Sequence, residues 1–393
     1  MAPMKRRVRF AAALLVVGAL AAPVASRADD PSDPVVEGKA ISTWEKDLAE
    51  GNTEAAKSAR AAIRRAGKVA VPALIRLVEG TNVGVVGFAC DALAALGPQA
   101  VAAVPALVAR LDAEGAGWPA ARTLEKIGGA AVPALASGLA SEKAVVRLHV
   151  ARILGRLASS ARDGLDALLL AAGDKDLSVR TEVVRAIGMI ALDAERSVKA
   201  LVAALATPND EVRATAAQAI ARFGRAAASA EPALLRITSD SNATVRAFAF
   251  AALVVTGDDP ALAGPAAIAA LADIDENVRA AAATVLGVRH ARGAGLAARV
   301  LALAKDPSRA VRGAAARAVR GVGATFVEAR PVLVSLLSDA HPPVVLEALD
   351  AIAGYGPEAA AALTELREDR FASHPDPAVR ERVASTIRAI TGT

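Results

Sequence analysis

A repeat of 33 residues runs through most of the chain and restricts its fold more than any other feature. Seven valines begin successive copies at this interval without a slip: Val146, Val179, Val212, Val245, Val278, Val311 and Val344. Looser copies begin at Ala55, Val85, Ala116 and Val379. After Val179, the apolar residues Ala186, Ile187 and Ile190 fall on one face of a helix. A period of this length with helical spacing predicts stacked helical repeats.

Each repeat also carries the signals for a turn and a second helix. A glycine follows the first helix at Gly67, Gly97, Gly128, Gly224, Gly257, Gly323 and Gly356, where it permits a left-handed turn. Prolines suited to the first turn of a second helix follow at Pro72, Pro105, Pro133, Pro232, Pro265 and Pro331. Helix-capping residues lie between repeats at Asp176, Asn209, Asn242, Asp275 and Ser308.

The composition agrees with closely packed helices. Hydrophobic residues make up 54% of the chain but aromatic residues only 3%, which favours an all-α fold with an Ala, Leu, Val and Ile core. We therefore expect an α-solenoid of antiparallel helix pairs over residues 41–393, with about eleven repeats, the last one partial. Residues 29–40 are expected to form a linker before it.

The first 28 residues read as a secretory signal peptide. A basic stretch from Lys5 to Arg9 precedes the apolar run Phe10–Ala22, and small residues follow at Ser26 and Ala28. We expect cleavage near Ala28-Asp29 and an exported protein that is either periplasmic or secreted. The alternative is an uncleaved anchor, although the apolar run is shorter than the roughly 20 residues of a membrane-spanning helix. No membrane span is expected in the mature chain.

Removal of this segment changes the charge balance. It holds five basic residues and no acidic ones, which leaves 41 basic and 41 acidic residues in the mature chain. The basic character therefore belongs to the targeting segment, and nucleic acid is not an expected partner. Cys90 is the only cysteine, so it forms no disulfide within the chain, and its apolar neighbours predict a buried position.

The pattern D-x-x-V-R-x-x-A-x-x-A-L-x-x-L-G followed by V-P-A-L resembles HEAT repeats, in particular the short bacterial class similar to phycobilisome lyases. The resemblance covers roughly residues 41–390 and implies the same solenoid fold. Relatives in this class include a di-iron hydroxylase, whose metal site would require His-Glu pairs. The four histidines here precede Val150, Ala291, Pro342 and Pro375. We therefore expect no catalytic residues, no metal, no cofactor and no enzyme activity.

An arginine follows the anchor in many repeats: Arg147, Arg180, Arg213, Arg246, Arg279, Arg312 and Arg380. Acidic residues recur five positions before several anchors, as at Asp174 and Asp240. The arginines either form a basic stripe for an anionic ligand or a structural ladder that contacts turn carbonyls and aspartates of the adjoining repeat. Regular spacing and alternating charge favour the ladder.

The function expected from this reading is a non-catalytic, monomeric scaffold that binds a protein or peptide. The resemblance implies that second helices line a concave face, and the partner-binding row predicted there is Ala203, Arg236, Ala269, Ala302 and Ser335. Two alternatives stay open: a lyase-like or chaperone accessory factor that handles a chromophore or cofactor, and an architectural protein of the envelope.

Overall fold

The computed structural model describes residues 35–36, 39–49, 54–115 and 117–392. The predicted signal peptide and most of the predicted linker lie outside these residues. The chain divides into two compact units, an N-terminal unit of Met1–Ala92 and a C-terminal unit of Leu93–Thr393.

The N-terminal unit begins with a two-stranded antiparallel ribbon of β1 (Val35–Val36) and β2 (Lys39–Ala40). Its helices are α1 (Ile41–Ala49), α2 (Glu54–Ala66), α3 (Val71–Glu79) and α4 (Val83–Leu96), which continues into the next unit. Trp44, Ile63, Leu74 and Phe88 are buried in its core, together with Cys90. The buried position predicted for this cysteine is confirmed.

The C-terminal unit continues the alternation of helices. Its elements are α5 (Val104–Ala109), α6 (Gly117–Ile127), α7 (Val132–Gly138), α8 (Ala144–Leu157), α9 (Leu165–Ala171), α10 (Leu177–Ile190), α11 (Ala194–Ala204), α12 (Asp210–Ala221), α13 (Glu231–Ile237), α14 (Ala243–Thr256), α15 (Pro260–Ala270), α16 (Glu276–Val288), α17 (Leu296–Ala302), α18 (Arg309–Gly321), α19 (Phe326–Leu336), α20 (Pro342–Ala353), α21 (Leu363–Leu366), α22 (Asp369–Ala372) and α23 (Pro377–Thr391). The even-numbered helices α6–α20 and α23 are the first helices of their repeats, and the odd-numbered helices α5–α21 are the second helices. The all-α solenoid of helix pairs is thereby confirmed.

One stretch in the described part of the chain, Val83–Ala109, is long and apolar enough to cross a membrane by length and composition. The backbone turns within it at Gly97, where φ is 54°, so the stretch consists of α4, a 3-10 turn and α5. Leu93 and Leu107 within it are buried. Of the most apolar part of this stretch, 33% is buried.

The capping residues predicted between repeats lie at helix N-termini. The side chains of Asp176, Asn209, Asn242 and Asp275 accept backbone N–H groups of the first turn, as predicted. Ser308 occupies the same position without a side-chain hydrogen bond. The Asx caps satisfy N–H groups that would otherwise have no partner within the helix.

The prolines divide into two groups. Pro72, Pro105, Pro133 and Pro232 open their helices as predicted. Pro265 and Pro331 instead lie inside α15 and α19, so the prediction is wrong there. Both helices begin earlier, at the capping side chains of Asp259 and Thr325.

The turn after the first helix uses left-handed backbone in most repeats. Six of the seven predicted glycines have φ between 52° and 82°, and Ala158, Ala191 and His290 adopt similar angles at the same position. Gly257 is the exception, with an extended φ of −160°, so a left-handed turn was wrongly predicted there. The carboxylate of Glu231 fills the space that a Cβ atom on Gly257 would occupy.

First helices of successive repeats pack through very small residues. A Cβ atom on Gly188 would lie 2.8 Å from the Cα atom of Ala219, and one on Gly287 would lie 2.6 Å from the Cα atom of Ala318. Second helices contact each other over a much smaller part of their lengths. First helices are therefore the more closely packed side of neighbouring repeats. The expectation that second helices line the concave face stays a prediction.

Candidate functional site

Five of the predicted ladder arginines each bind an aspartate 27 residues later. The pairs are Arg147–Asp174, Arg213–Asp240, Arg246–Asp273, Arg279–Asp306 and Arg312–Asp339. Each pair is bidentate, with nitrogen–oxygen distances of 2.6–2.9 Å. Their side chains are only 7–15% exposed. Each pair joins a first helix to the turn that precedes the next first helix.

The remaining hydrogen-bonding groups of these pairs are also used within the protein. Arg147 donates from Nη1 to the carbonyl oxygens of Ser141 and Glu142, at 2.8 and 3.0 Å. Oδ1 of Asp174 accepts the backbone N–H of Asp176 at 2.9 Å. The hydrogen bond from Arg312 lowers the pKa of Asp339 to about 2. Such pairs hold successive turns together and leave few donors for an anionic ligand.

Arg180 and Arg380 differ from the other members of the row. Arg180 donates from Nε and Nη2 to the carbonyl oxygen of Asp174, at 2.9 and 2.6 Å. The residue 27 positions later is Thr207, which offers no carboxylate. Arg380 donates to the carbonyl oxygens of His374 and Pro375. The Arg–Asp pattern is therefore interrupted at Arg180.

We expect Thr207→Asp to raise the free energy of unfolding by about 1 kcal/mol, because it supplies Arg180 with the carboxylate that its neighbours have. Thr207→Asn is the control, since it has nearly the same shape without the charge and should give no gain. Urea unfolding followed by circular dichroism measures both variants. An aspartate variant no more stable than the asparagine variant would contradict the prediction.

The predicted partner-binding row is exposed on the second helices. Ala203, Arg236, Ala269, Ala302 and Ser335 lie on α11, α13, α15, α17 and α19, and each is solvent-exposed. The row follows the side on which the repeats are more widely spaced. Partner binding along it stays a prediction.

Three grooves lie instead on the first helices. The largest, about 780 Å³, spans α16, α18 and α20 and is lined by residues that include Val288, Arg320 and Tyr355. Smaller grooves of about 320 and 350 Å³ lie along α8 and α10 and along α14 and α16. We call the surface that carries them the first-helix face. It consists chiefly of positions 3, 6, 9 and 10 after the anchor residue of each repeat.

Two successive repeats contribute no charged side chain at these positions. The uncharged section consists of Phe248, Ala251 and Val255 on α14 and Ala281, Thr284 and Val288 on α16. Val255 is 40% exposed and Val288 is 50% exposed. Neighbouring apolar side chains that remain in water favour contact with another apolar surface.

Four arginines of the first-helix face are paired with acids of adjacent repeats. The pairs are Arg152–Glu182, Arg156–Glu125, Arg317–Glu347 and Arg382–Asp350. Arg222 and Arg320 are exposed and have no carboxylate partner among the described residues. Arg320 stacks on the ring of Tyr355, with its guanidinium carbon 5.7 Å from the ring centroid. These two arginines lie one repeat to either side of the uncharged section.

A buried ion pair lies away from this face. Arg289 is 2% exposed and donates from Nη2 to Oε1 of Glu231 at 2.5 Å. The same guanidinium donates to the carbonyl oxygens of Leu253 and Asp259, at 2.6 and 3.0 Å. Thr256 donates its hydroxyl to the same carboxylate. Sequence analysis missed this cluster, although its signal was present: valine stands at the position of Glu231 in several other repeats.

Among the described residues, no three side chains of His, Cys, Asp or Glu form a group suited to a metal ion. The four histidines lie in different repeats, and burial lowers the pKa of His149.

Comparison with protein families agrees with the repeat geometry. A model described as HEAT repeats matches residues 132–220, 198–287 and 296–388, together more than half of the chain. The chain belongs to the HEAT-repeat family. No match was found among curated protein sequences.

Solved structures share this fold at low sequence identity. An engineered protein is 21% identical, with a TM-score of 0.50, over 89% of this chain and 98% of its own. YIBA_ECOLI is 18% identical with a TM-score of 0.51, over 70% of this chain and 97% of its own. Importin beta is 12% identical with a TM-score of 0.56, over 90% of this chain and 55% of its own. These similarities establish the fold alone.

Proposed function

We propose that this HEAT-repeat protein is a non-catalytic scaffold whose first-helix face binds a segment of a partner protein. The observation that carries the proposal is the uncharged section on α14 and α16, where Val255 and Val288 are half-exposed beside Phe248. Complete burial of a valine or phenylalanine side chain contributes about 1.5–3 kcal/mol. Several such contacts along one groove would hold a peptide segment without any reactive group.

The compartment is part of the same proposal. The basic and apolar segments at residues 5–22 support export, and the short repeat pattern supports membership of the class similar to phycobilisome lyases. In that setting the scaffold would bind a periplasmic or secreted partner. Intact mass measurement of the exported protein tests this point, because cleavage near Ala28-Asp29 removes a defined segment.

The binding proposal is tested by selecting peptides from an unbiased display library on the immobilised protein. We expect Val255→Asp combined with Val288→Asp to weaken binding of the selected peptides by about 30-fold or more, because charges would replace the apolar contacts. Fluorescence anisotropy with labelled peptides measures the affinities. Circular dichroism verifies that the variant remains helical.

The matched control places charges on the second-helix row. Ala269→Glu with Ala302→Glu should leave both helicity and peptide affinity nearly unchanged, since both side chains are exposed on the other side of the repeats. Loss of binding in this control, with normal binding by the first-helix variant, would assign the partner surface to the row of Ala203, Arg236, Ala269, Ala302 and Ser335. It would also refute the first-helix proposal.

A further inference from the structure

We propose that the partner segment has an apolar centre flanked on both sides by carboxylates, which pair with Arg222 and Arg320. The inference rests on the proposed function and specifies the chemistry of the partner. Its basis is that Arg222 and Arg320, two exposed arginines without a carboxylate partner among the described residues, lie on the two repeats that border the uncharged section.

Arg222 lies at position 10 after Val212, at the C-terminus of α12. The same position on the next two first helices is occupied by Val255 and Val288. Arg222 therefore continues the row that forms the uncharged section. Its guanidinium is exposed and offers several hydrogen-bond donors. No carboxylate among the described residues pairs with it.

Arg320 borders the uncharged section on its other side. It stands at position 9 after Val311, where Gly188 and Gly287 stand after their own anchors, so a long cation replaces a packing glycine. Its side chain lies over Gly354, where a Cβ atom would collide with the guanidinium, and stacks on Tyr355. Tyr355 in turn donates its hydroxyl to the carbonyl oxygen of Ala324 at 2.8 Å. These contacts position the guanidinium in the largest groove before a ligand binds.

Most acidic groups around the two grooves are already engaged. Glu347 and Asp350 bind Arg317 and Arg382. Asp275 accepts two backbone N–H groups at the start of α16. Glu358, in the turn after α20, lines the largest groove and has no basic partner among the described residues. Its negative charge therefore disfavours acidic groups of a ligand in the part of the groove beyond Arg320. A ligand carboxylate beside Arg320 itself would form an ion pair, because no described acidic residue of the protein pairs with this arginine.

The spacing of the repeats sets the length of the segment. Arg222 and Arg320 are separated by three steps, from α12 through α14 and α16 to α18. Helices pack about 8–10 Å apart, so the arginines are roughly 25–30 Å apart. An extended chain covers this distance with about 8–9 residues, at about 3.3 Å per residue. The preferred segment therefore holds about seven apolar or small residues between its acidic ends.

Three synthetic peptides of about eleven residues test the inference. The first has glutamates at both ends and an apolar centre, the second has lysines at both ends, and the third keeps the glutamates but has a serine centre. We expect the first to bind about tenfold or more tightly than either of the others, by fluorescence anisotropy at about 50 mM salt. Its advantage over the lysine peptide should shrink at about 300 mM salt, because salt screens exposed charge pairs.

The variant Arg222→Glu with Arg320→Glu should reverse the preference and favour the lysine peptide. Arg236→Glu is the matched control, since this exposed arginine lies on a second helix and should leave both affinities unchanged. Circular dichroism confirms that all variants stay helical. Equal binding of the first two peptides, or no response to the double variant, would overturn the inference.

The two proposals fail in distinguishable ways. If the charge of the peptide has no effect but Val255→Asp with Val288→Asp still abolishes binding, the scaffold function stands and the acidic flanks are refuted. If binding of every peptide is insensitive to the aspartate variants, the first-helix face is not the binding surface and both proposals fail.

Discussion

Arg289→Met is expected to lower the free energy of unfolding by about 3–5 kcal/mol, because it breaks a buried ion pair. The change leaves the carboxylate of Glu231 buried with only the hydroxyl of Thr256 as a hydrogen-bond donor. It also removes donors from the carbonyl oxygens of Leu253 and Asp259. A buried charge without its counterion is costly because the protein interior solvates it poorly.

The double variant Glu231→Val with Arg289→Ile distinguishes the cost of the unpaired charge from the loss of packing. Valine and isoleucine stand at the corresponding positions of other repeats, as at Val132 and Ile190. Replacement of both charges should therefore restore most of the stability, since a buried pair often contributes little over a well-packed apolar pair. Whole urea unfolding curves should be compared, because repeat arrays do not always unfold in two states. A double variant as unstable as Arg289→Met would contradict this account.

Gly287→Ala is expected to lower the free energy of unfolding by about 1–3 kcal/mol, although alanine is the better helix former. The added methyl would lie 2.6 Å from the Cα atom of Ala318, so α16 and α18 would have to move apart. Thermal and urea unfolding measure the effect.

Gly87→Ala is the control for this substitution. Gly87 also lies within a helix, α4, but a Cβ atom there would meet no atom from outside its own helix segment within 4 Å. This variant should gain up to about 1 kcal/mol through its higher helix propensity. If both alanine variants shifted stability in the same direction, close packing of first helices would not be the reason for the glycine at position 287.

The repeats themselves could be predicted from the sequence because they rest on local patterns. Anchor valines, Asx caps and first-turn prolines each act within a few residues, and most are found where they were expected. The helix starts predicted at Pro265 and Pro331 were wrong because Asp259 and Thr325 cap these helices earlier in the chain. The prediction had relied on the prolines and did not consider these capping residues. The left-handed turn failed at Gly257, where a distant side chain, that of Glu231, packs against the backbone and no local rule includes it.

The side on which neighbouring repeats pack more closely was not predictable from exposure patterns alone. Both helices of a repeat present small exposed residues, such as Ala269 on α15 and Ala251 on α14. The distinction lies in how closely neighbouring helices approach, which Gly188 and Gly287 allow on the first helices. Glycines nine residues after the anchor, such as Gly188 and Gly287, were the sequence feature that could have indicated this close packing. The grooves could not be predicted in this way, because their shape depends on distances between repeats.

The link between Glu231 and Arg289 has a consequence for how the array opens. Most contacts in a solenoid join only adjacent repeats, so the terminal repeats of such a chain fray one at a time. This link instead joins α13 to the residue that follows α16, and it binds the end of α14 between them. We therefore expect these three repeats to unfold together, and fraying that starts at α23 to slow there. The uncharged section lies on the two first helices, α14 and α16, that this link connects.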